Sequence, residues 1–306
     1  MPVDPPTIIL TVMAKVAVEN IVRGRVRAWS WFRSNLELPG ERREILTELL
    51  LVEGQYLLHP ASNYRPARGQ PPAPTGNFGY PHDFEALRAV LALAPGVPVA
   101  SPDAVFAAQA APGDHLIAAG SPKANALSRL FLPSYSISET GQALEFDTLV
   151  EPTDIAYSFV ENLVQPKVGV ISRMRGGVPD QKTRKAILCR RPGDVTELWQ
   201  PSGYLDTRML ARDFLLVSRL PRNRSGASVL VVGGGHGAGT EAVRLAFEQL
   251  HISDLRALHS ALKGTPYWQF GIEVTKIDHR KTGSMPEEVR LADKLPPVAL
   301  TPHVKD

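Results

Sequence analysis

Ser228–Leu250 reads SVLVVGGGHGAGTEAVRLAFEQL. Val229, Leu230, Val231 and Val232 form an apolar, largely β-branched run of the kind that makes a buried strand. The run ends in Gly233, Gly234, Gly235, Gly237 and Gly239, and from Thr240 onward the apolar residues return at helical spacing. Strand, glycine loop and helix in that order make a cradle for an anion. Glycines let backbone N–H groups approach a charged ligand, and the first turn of the helix adds unpaired donors and the positive end of its dipole. The guest that suits such a cradle is a phosphate-bearing, nucleotide-type molecule. Nothing else in the chain calls for a cofactor.

Working outward, the same grammar recurs upstream. Asp114–Ala119 (DHLIAA) is an apolar strand, Gly120-Ser121-Pro122 is a turn, and a helical run follows from Lys123 through Asn125, Leu127, Leu130 and Phe131. Asp213–Leu220 (DFLLVSRL) gives a further strand, which PRNRSGAS turns back into the central one. Ser253 starts a short helix that Gly264 ends, and Phe270, Ile272 and Val274 alternate with Gly271, Glu273 and Thr275 as a half-buried strand. Val168–Ser172 and Lys185–Arg190 read as a hairpin around Arg173, Arg175, Gly176 and Gly177. After Ile277, the repeated prolines predict irregular chain.

The first part of the chain reads differently. Thr7 onward and Glu41 to about Leu58 carry apolar residues at helical spacing, separated by Pro39-Gly40, which predicts an α-helical hairpin. Residues 63–81 (NYRPARGQPPAPTGNFGYP) hold enough proline to exclude a regular element, leaving a linker or a basic, aromatic lid. A helix follows from Asp83 to Leu93, and then a short strand at Val97–Ala100. The expected fold is therefore α/β. It comprises a helical N-terminal region (1–62), a Pro-rich linker (63–82) and a Rossmann-like domain with a mostly parallel sheet (83–306).

Composition bounds the function. The chain has 306 residues, 43% hydrophobic and 21% charged, with a formal net charge of +3. That is a globular chain whose mild basicity is spread out, so no dedicated nucleic-acid surface is expected. The single cysteine, Cys189, excludes an internal disulfide and suits a reducing compartment. The apolar run Thr7–Val18 carries Lys15 and is too short to span a bilayer, so the expectation is cytoplasmic with no membrane contact. The N-terminal helices are read as a surface for a protein partner.

The pair GS…GGGHGAGTE resembles the two signatures of the SLOG superfamily, which contains cytokinin-activating phosphoribohydrolases and DNA-processing protein A. That resemblance implies a nucleotide phosphate held by the Gly-Ser turn and the glycine loop, with a glutamate assisting cleavage of an N-glycosidic bond. It places Gly120, Ser121, Gly233, Gly234, Gly235, Gly237, Gly239 and Thr240 at the ligand, with Glu241 as the catalytic acid or base, and Asn125 just after the turn is read as a further ligand-binding residue. Glu241 follows Thr240 directly, whereas the family's glutamate stands three positions on. The strand DFLLVSRLP followed by a strand ending in Gly-x-His-x-x-Gly also resembles a group of bacterial proteins with no assigned activity.

His236, inside the loop, is a second candidate for proton transfer or for pairing with phosphate. Arg173 and Arg175 are candidates for lining the same cleft. GGGHGAGTE is also similar to the Gly-x-His-Gly-x-Glu strand end of zinc carboxypeptidases. Here, however, the third residue after the histidine is Gly239, and His251, His259, His279 and His303 show no paired metal-ligand spacing. The loop lacks the Gly-Lys-Ser/Thr of a P-loop, and no serine sits in G-x-S-x-G. The reading is a nucleotide or nucleotide-derived ligand bound by a bacterial signalling or defence sensor, or by an N-glycosidic hydrolase. The alternatives are a non-catalytic protein-interaction module and a zinc-dependent hydrolase.

Overall fold

In a computed structural model of the chain, the described residues are 40–52, 56–59, 62–64, 74–78, 81–93, 113–137, 143–145, 148–163, 184–190, 196–199, 203–204, 210–279 and 285–305. They belong to a compact unit, Gly40–Asp306. Its centre is the pair β11 (Leu210–Pro221) and β12 (Ser228–Gly234), joined only by residues 222–227. So short a connection can only return the chain antiparallel. β13 (Trp268–Asp278) then pairs antiparallel with the other side of β11, and β14 (Met285–Leu291) with β13. On the far side β4 (His115–Ala119) lies parallel to β12, and β1 (Tyr56–His59) parallel to β4.

The main sheet thus runs β1-β4-β12-β11-β13-β14, with β10 (Gly203–Tyr204) on β11 and β15 (Val298–Ala299) on β13. A second sheet runs β6-β5-β7-β8-β9 through Ala143–Glu145, Ser134–Ile137, Tyr157–Leu163, Arg184–Arg190 and Thr196–Trp199; its only parallel pair is β5 with β7. This corrects the expected mostly parallel Rossmann-like sheet. Parallel neighbours need a crossover of a dozen residues or more, and most connections here are too short to supply one.

Five helices are described. α1 is Gly40–Leu50, α2 Pro81–Leu93, α3 Ala126–Phe131, α4 Gly237–Gln249 and α5 Ile252–Leu262. The expected helical hairpin is corrected as well. The helix from Glu41 stops at Leu50, and Tyr56–His59 extends the main sheet, so a helix does not reach Leu58. Gly54 interrupts the helical pattern, and a short apolar run such as Tyr56-Leu57-Leu58 has no period that separates strand from helix. The hairpin's first helix, the strand at Val97–Ala100 and the strand at Val168–Ser172 lie outside the described residues. The stretch 63–81, expected to hold no regular element, includes Asn63-Tyr64 of β2 (Ser62–Tyr64) and all of β3 (Pro74–Phe78), which form a two-stranded antiparallel pair. Its proline is the first residue of a strand, where a missing N–H is tolerated.

Alternation along the strands sorts the core into two layers. Leu116, Ala118, Phe214, Leu216, Leu220, Val229 and Val231 form one cluster with Leu127 and Phe131 of α3 and with Tyr157, Phe159, Ile187 and Cys189 of the second sheet. The rings of Phe214 and Phe159 are 5.6 Å apart there. The intervening residues Ile117, Ala119, Leu215, Val217, Leu230 and Val232 are equally buried and face the other way, toward α4, which packs on β11 to β14 and on α2. On this second side Arg219 is buried, lies 5.0 Å over the Trp268 ring and donates to Leu49 O, which ties the last turn of α1 to the sheet.

The two sheets are also clipped together by one polar residue. Gln269 on β13 is fully buried; its Oε1 accepts from Tyr157 N at 2.8 Å, and its Nε2 donates to Tyr157 O at 2.9 Å and to Ser218 Oγ at 3.0 Å. It serves β7 as a strand neighbour would. Gln269→Leu is expected to cost about 2–4 kcal/mol, because two buried backbone groups of Tyr157 lose that partner at about 1–3 kcal/mol each. The midpoint of urea unfolding is the readout. Among the described residues no helix is long and apolar enough to cross a membrane.

Candidate functional site

β4 and β12 end side by side. They pair from Leu116 with Val229 to Ala119 with Val232, and Gly120 N donates to Val232 O at 2.8 Å. Gly120 then turns with φ 105°, a conformation natural to glycine, and the chain enters α3 on one face of the sheet. From β12 the chain enters α4 on the opposite face. Adjacent parallel strands whose connections depart to opposite faces define a switch point, and the crevice outside their carboxyl ends is where open α/β sheets take ligands. Gly120–Asn125 and Gly233–Thr240 follow directly from those two strand ends.

The glycine loop itself is filled from within. Asp213, in the first third of β11, is wholly buried, and its Oδ2 accepts from His236 N at 3.0 Å and Gly239 N at 2.7 Å. Its Oδ1 lies 3.2 Å from His236 Nδ1. A carboxylate only accepts, so His236 carries its proton on Nδ1. Asp213 therefore caps α4 from another element and offsets the positive end of the helix dipole. Thr240 Oγ1 accepts from Gly234 N at 3.0 Å and fastens the loop to the first turn.

The glycines are required by close approach rather than by an open cradle. A Cβ at Gly233 would lie 2.9 Å from Gly120 O, and at Gly235 it would lie 2.6 Å from the Phe214 ring and 2.7 Å from the Asp213 carboxylate. At Gly234 it would meet the backbone of Gly239 and Thr240, and at Gly239 it would meet Phe214 O, in both cases under 3.0 Å. At Gly237 it would meet the imidazole of His82.

His82, at the head of α2, was not singled out from the sequence. Its Nδ1 is 2.6 Å from Glu241 Oε2, with side-chain exposures of 23% for His82 and 4% for Glu241. The carboxylate of Glu241 thus lies within the α2–α4 contact, where it orients an imidazole. Asp213 was likewise read only as the first residue of a strand. The available signal was chemical: an acid heading DFLLV, a run buried on both faces, needs partners to lose its water.

The second loop is self-sufficient in hydrogen bonds. Asn125 is fully buried; its Oδ1 accepts from Leu127 N at 2.8 Å as the N-cap of α3, and its Nδ2 donates to Ala119 O at 2.8 Å. Ser121 is buried, its carbonyl accepts from Ala124 N and Asn125 N, and Lys123 is exposed between them. Arg173 and Arg175 lie outside the described residues.

The histidines proposed as further metal ligands stand elsewhere. His251 heads α5 against Ser253, His259 pairs with Glu48 at 3.0 Å, His303 pairs with Asp154 at 2.7 Å, and His279 follows the end of β13. Among the described residues no three His, Cys, Asp or Glu side chains gather as a metal site. No protein-family model, no curated protein and no solved structure matches this chain.

Proposed function

We propose that the chain binds a nucleotide-derived small molecule in the crevice between Gly120–Asn125 and the head of α4. The observation that carries this reading is His236. It stands at the switch point, mostly buried, with its ring and its backbone N–H both anchored to the buried Asp213 carboxylate. A buried acid that fixes one histidine at the mouth of a crevice is the arrangement of a working imidazole. Because Asp213 already takes the amides of His236 and Gly239, the ligand's charge falls to His236 and to the first-turn amides of Gly237 and Ala238, which no intrahelical carbonyl reaches. With one cysteine in the chain, a reducing cytoplasm suits this role.

The test is thermal unfolding of the full chain against nucleoside monophosphates, NAD and cyclic dinucleotides. A ligand at a hundred times its Kd should add about 2.7 kcal/mol, a shift of several degrees. His236→Ala should abolish the shift while leaving the circular dichroism spectrum native. A second reading, a non-catalytic interaction module, draws on the backbone contacts around Gly233, Gly234 and Gly239. The absence of a shift across the whole panel would decide for it.

A further inference from the structure

The end of the main sheet away from the glycine loop carries a separate set of charges. Arg219 on β11 stands in register with Leu230 of β12 and Trp268 of β13, four residues beyond Leu215, which lies opposite Gly234. Here the last turns of α1 and α5 pack together over the sheet and border a cavity of about 160 Å³. Its floor is buried: Arg219 is 5% exposed and Trp268 1%. Its mouth is open, because Lys263 is exposed and the Glu48 side chain is 55% exposed. Leu49 and Leu262 give it apolar wall, and Thr265 brings a hydroxyl.

Opposite charges line this cavity without joining each other. Glu48 pairs with His259 Nε2 at 3.0 Å and with neither Lys263 nor Arg219, and the Lys263 ammonium meets no carboxylate among the described residues. Arg219 is fixed over the Trp268 ring by its bond to Leu49 O. The last carbonyls of α1 and α5 add partial negative charge at the same place, so the two permanent cations face a comparable amount of negative charge. Separate poles of both signs, with no large excess of either, match a ligand that is itself dipolar. We propose that the cavity binds a small free amino acid. Its carboxylate faces Lys263, Thr265 and the charge of Arg219, its ammonium faces Glu48, and its side chain lies against Leu49 and Leu262. Both ends then make charge-assisted hydrogen bonds, the strong class. The cavity is smaller than the roughly 300–1,000 Å³ that drug-sized ligands occupy, which restricts the side chain to a few carbons. This site is independent of the one at the switch point.

The experiment titrates the full chain, labelled with 5-fluorotryptophan, with glycine, alanine, serine and valine. Calorimetry gives the affinity, and fluorine NMR of the four tryptophans gives the place. The Trp268 resonance, assigned from Trp268→Phe, should shift along the calorimetric isotherm, whereas that of Trp199, packed between the two sheets, should stay. Propanoate and ethylamine each keep one pole of alanine and should bind at least about tenfold more weakly than alanine, the low end for a hydrogen bond to a charged group. Lys263→Gln and Glu48→Gln each remove one pole at the open mouth and leave the core packing intact. Each should weaken alanine binding about tenfold. Lys263→Gln should leave the weak binding of ethylamine no weaker, and Glu48→Gln should do the same for propanoate. Propanoate bound as tightly as alanine overturns the proposal in favour of a simple anion site, and ethylamine bound as tightly overturns it in favour of a cation site. No heat with any of the four amino acids, or heat without a shift at Trp268, overturns it outright.

Discussion

Gly239→Ala is expected to lose at least about 4 kcal/mol, beyond the ordinary range for a point substitution, and to yield little folded protein. The added Cβ would fall under 3.0 Å from Phe214 O and 2.8 Å from the Asp213 carboxylate. Phe214 O belongs to the backbone of β11, which is paired on both sides by β12 and β13. It cannot recede without breaking one of those ladders, and tightly packed interiors transmit such strain rather than absorb it. Gly237→Ala is the informative contrast, because the obstacle there is a side chain. The His82 ring must swing away from Glu241, and the loss should be about 1–3 kcal/mol, that of a buried acceptor deprived of its donor. Gly40→Ala, where a Cβ meets nothing within 4 Å, should change stability by about 0.5 kcal/mol or less. Urea unfolding of the three variants orders them 239, 237, 40 if close approach is what the glycines serve.

Asp213→Ala should cost about 3–5 kcal/mol, the range for removing one partner from a buried charged arrangement. Three donors converge on this carboxylate, and hydrogen bonds to charged groups are worth about 1.5–3 kcal/mol each. Without it, the backbone N–H groups of His236 and Gly239 face an apolar void at the end of a helix dipole. Asp213→Asn should recover less than half of that loss, since one of its two acceptor oxygens becomes an NH2 that meets donors. Thermal unfolding gives the stability. Amide exchange localises the defect: the first turn of α4 should lose protection before β11 and β13 do.

How much of this could be read from the sequence differs from element to element. The cores of β4, β8, β11, β12 and β13, and of α2, α4 and α5, stood out because an apolar run or a 3.6-residue period reports burial locally. The antiparallel return at residues 222–227 was legible from the turn PRNRSGAS, yet the strand–glycine–helix grammar after Val232 outweighed it in the choice of a parallel sheet. β5, β6, β7 and β14 passed unread. Met285–Leu291 is a charged edge strand whose burial is patchy, and its Pro286 and two acids look like loop until β13 is placed beside it. β13 itself is buried on both faces along Trp268–Ile272, where Gly271 lets Leu295 approach, so alternation alone understated its burial.

The sequence by itself determined the strand and helix at Ser228–Leu250, the glycine-lined head of that helix, and the matching turn at Gly120-Ser121. Those are local properties, set by side-chain period and by which residues tolerate close backbone contact. Only the tertiary structure decided what fills the loop and what Glu241 does. The anion at the head of α4 is Asp213, 23 residues before His236, and the partner of Glu241 is His82, 159 residues before it. Such separations carry no periodic trace. Buried polar groups take whichever partner the fold brings within about 3 Å, and that choice is made by strand order and by the face on which each helix lands.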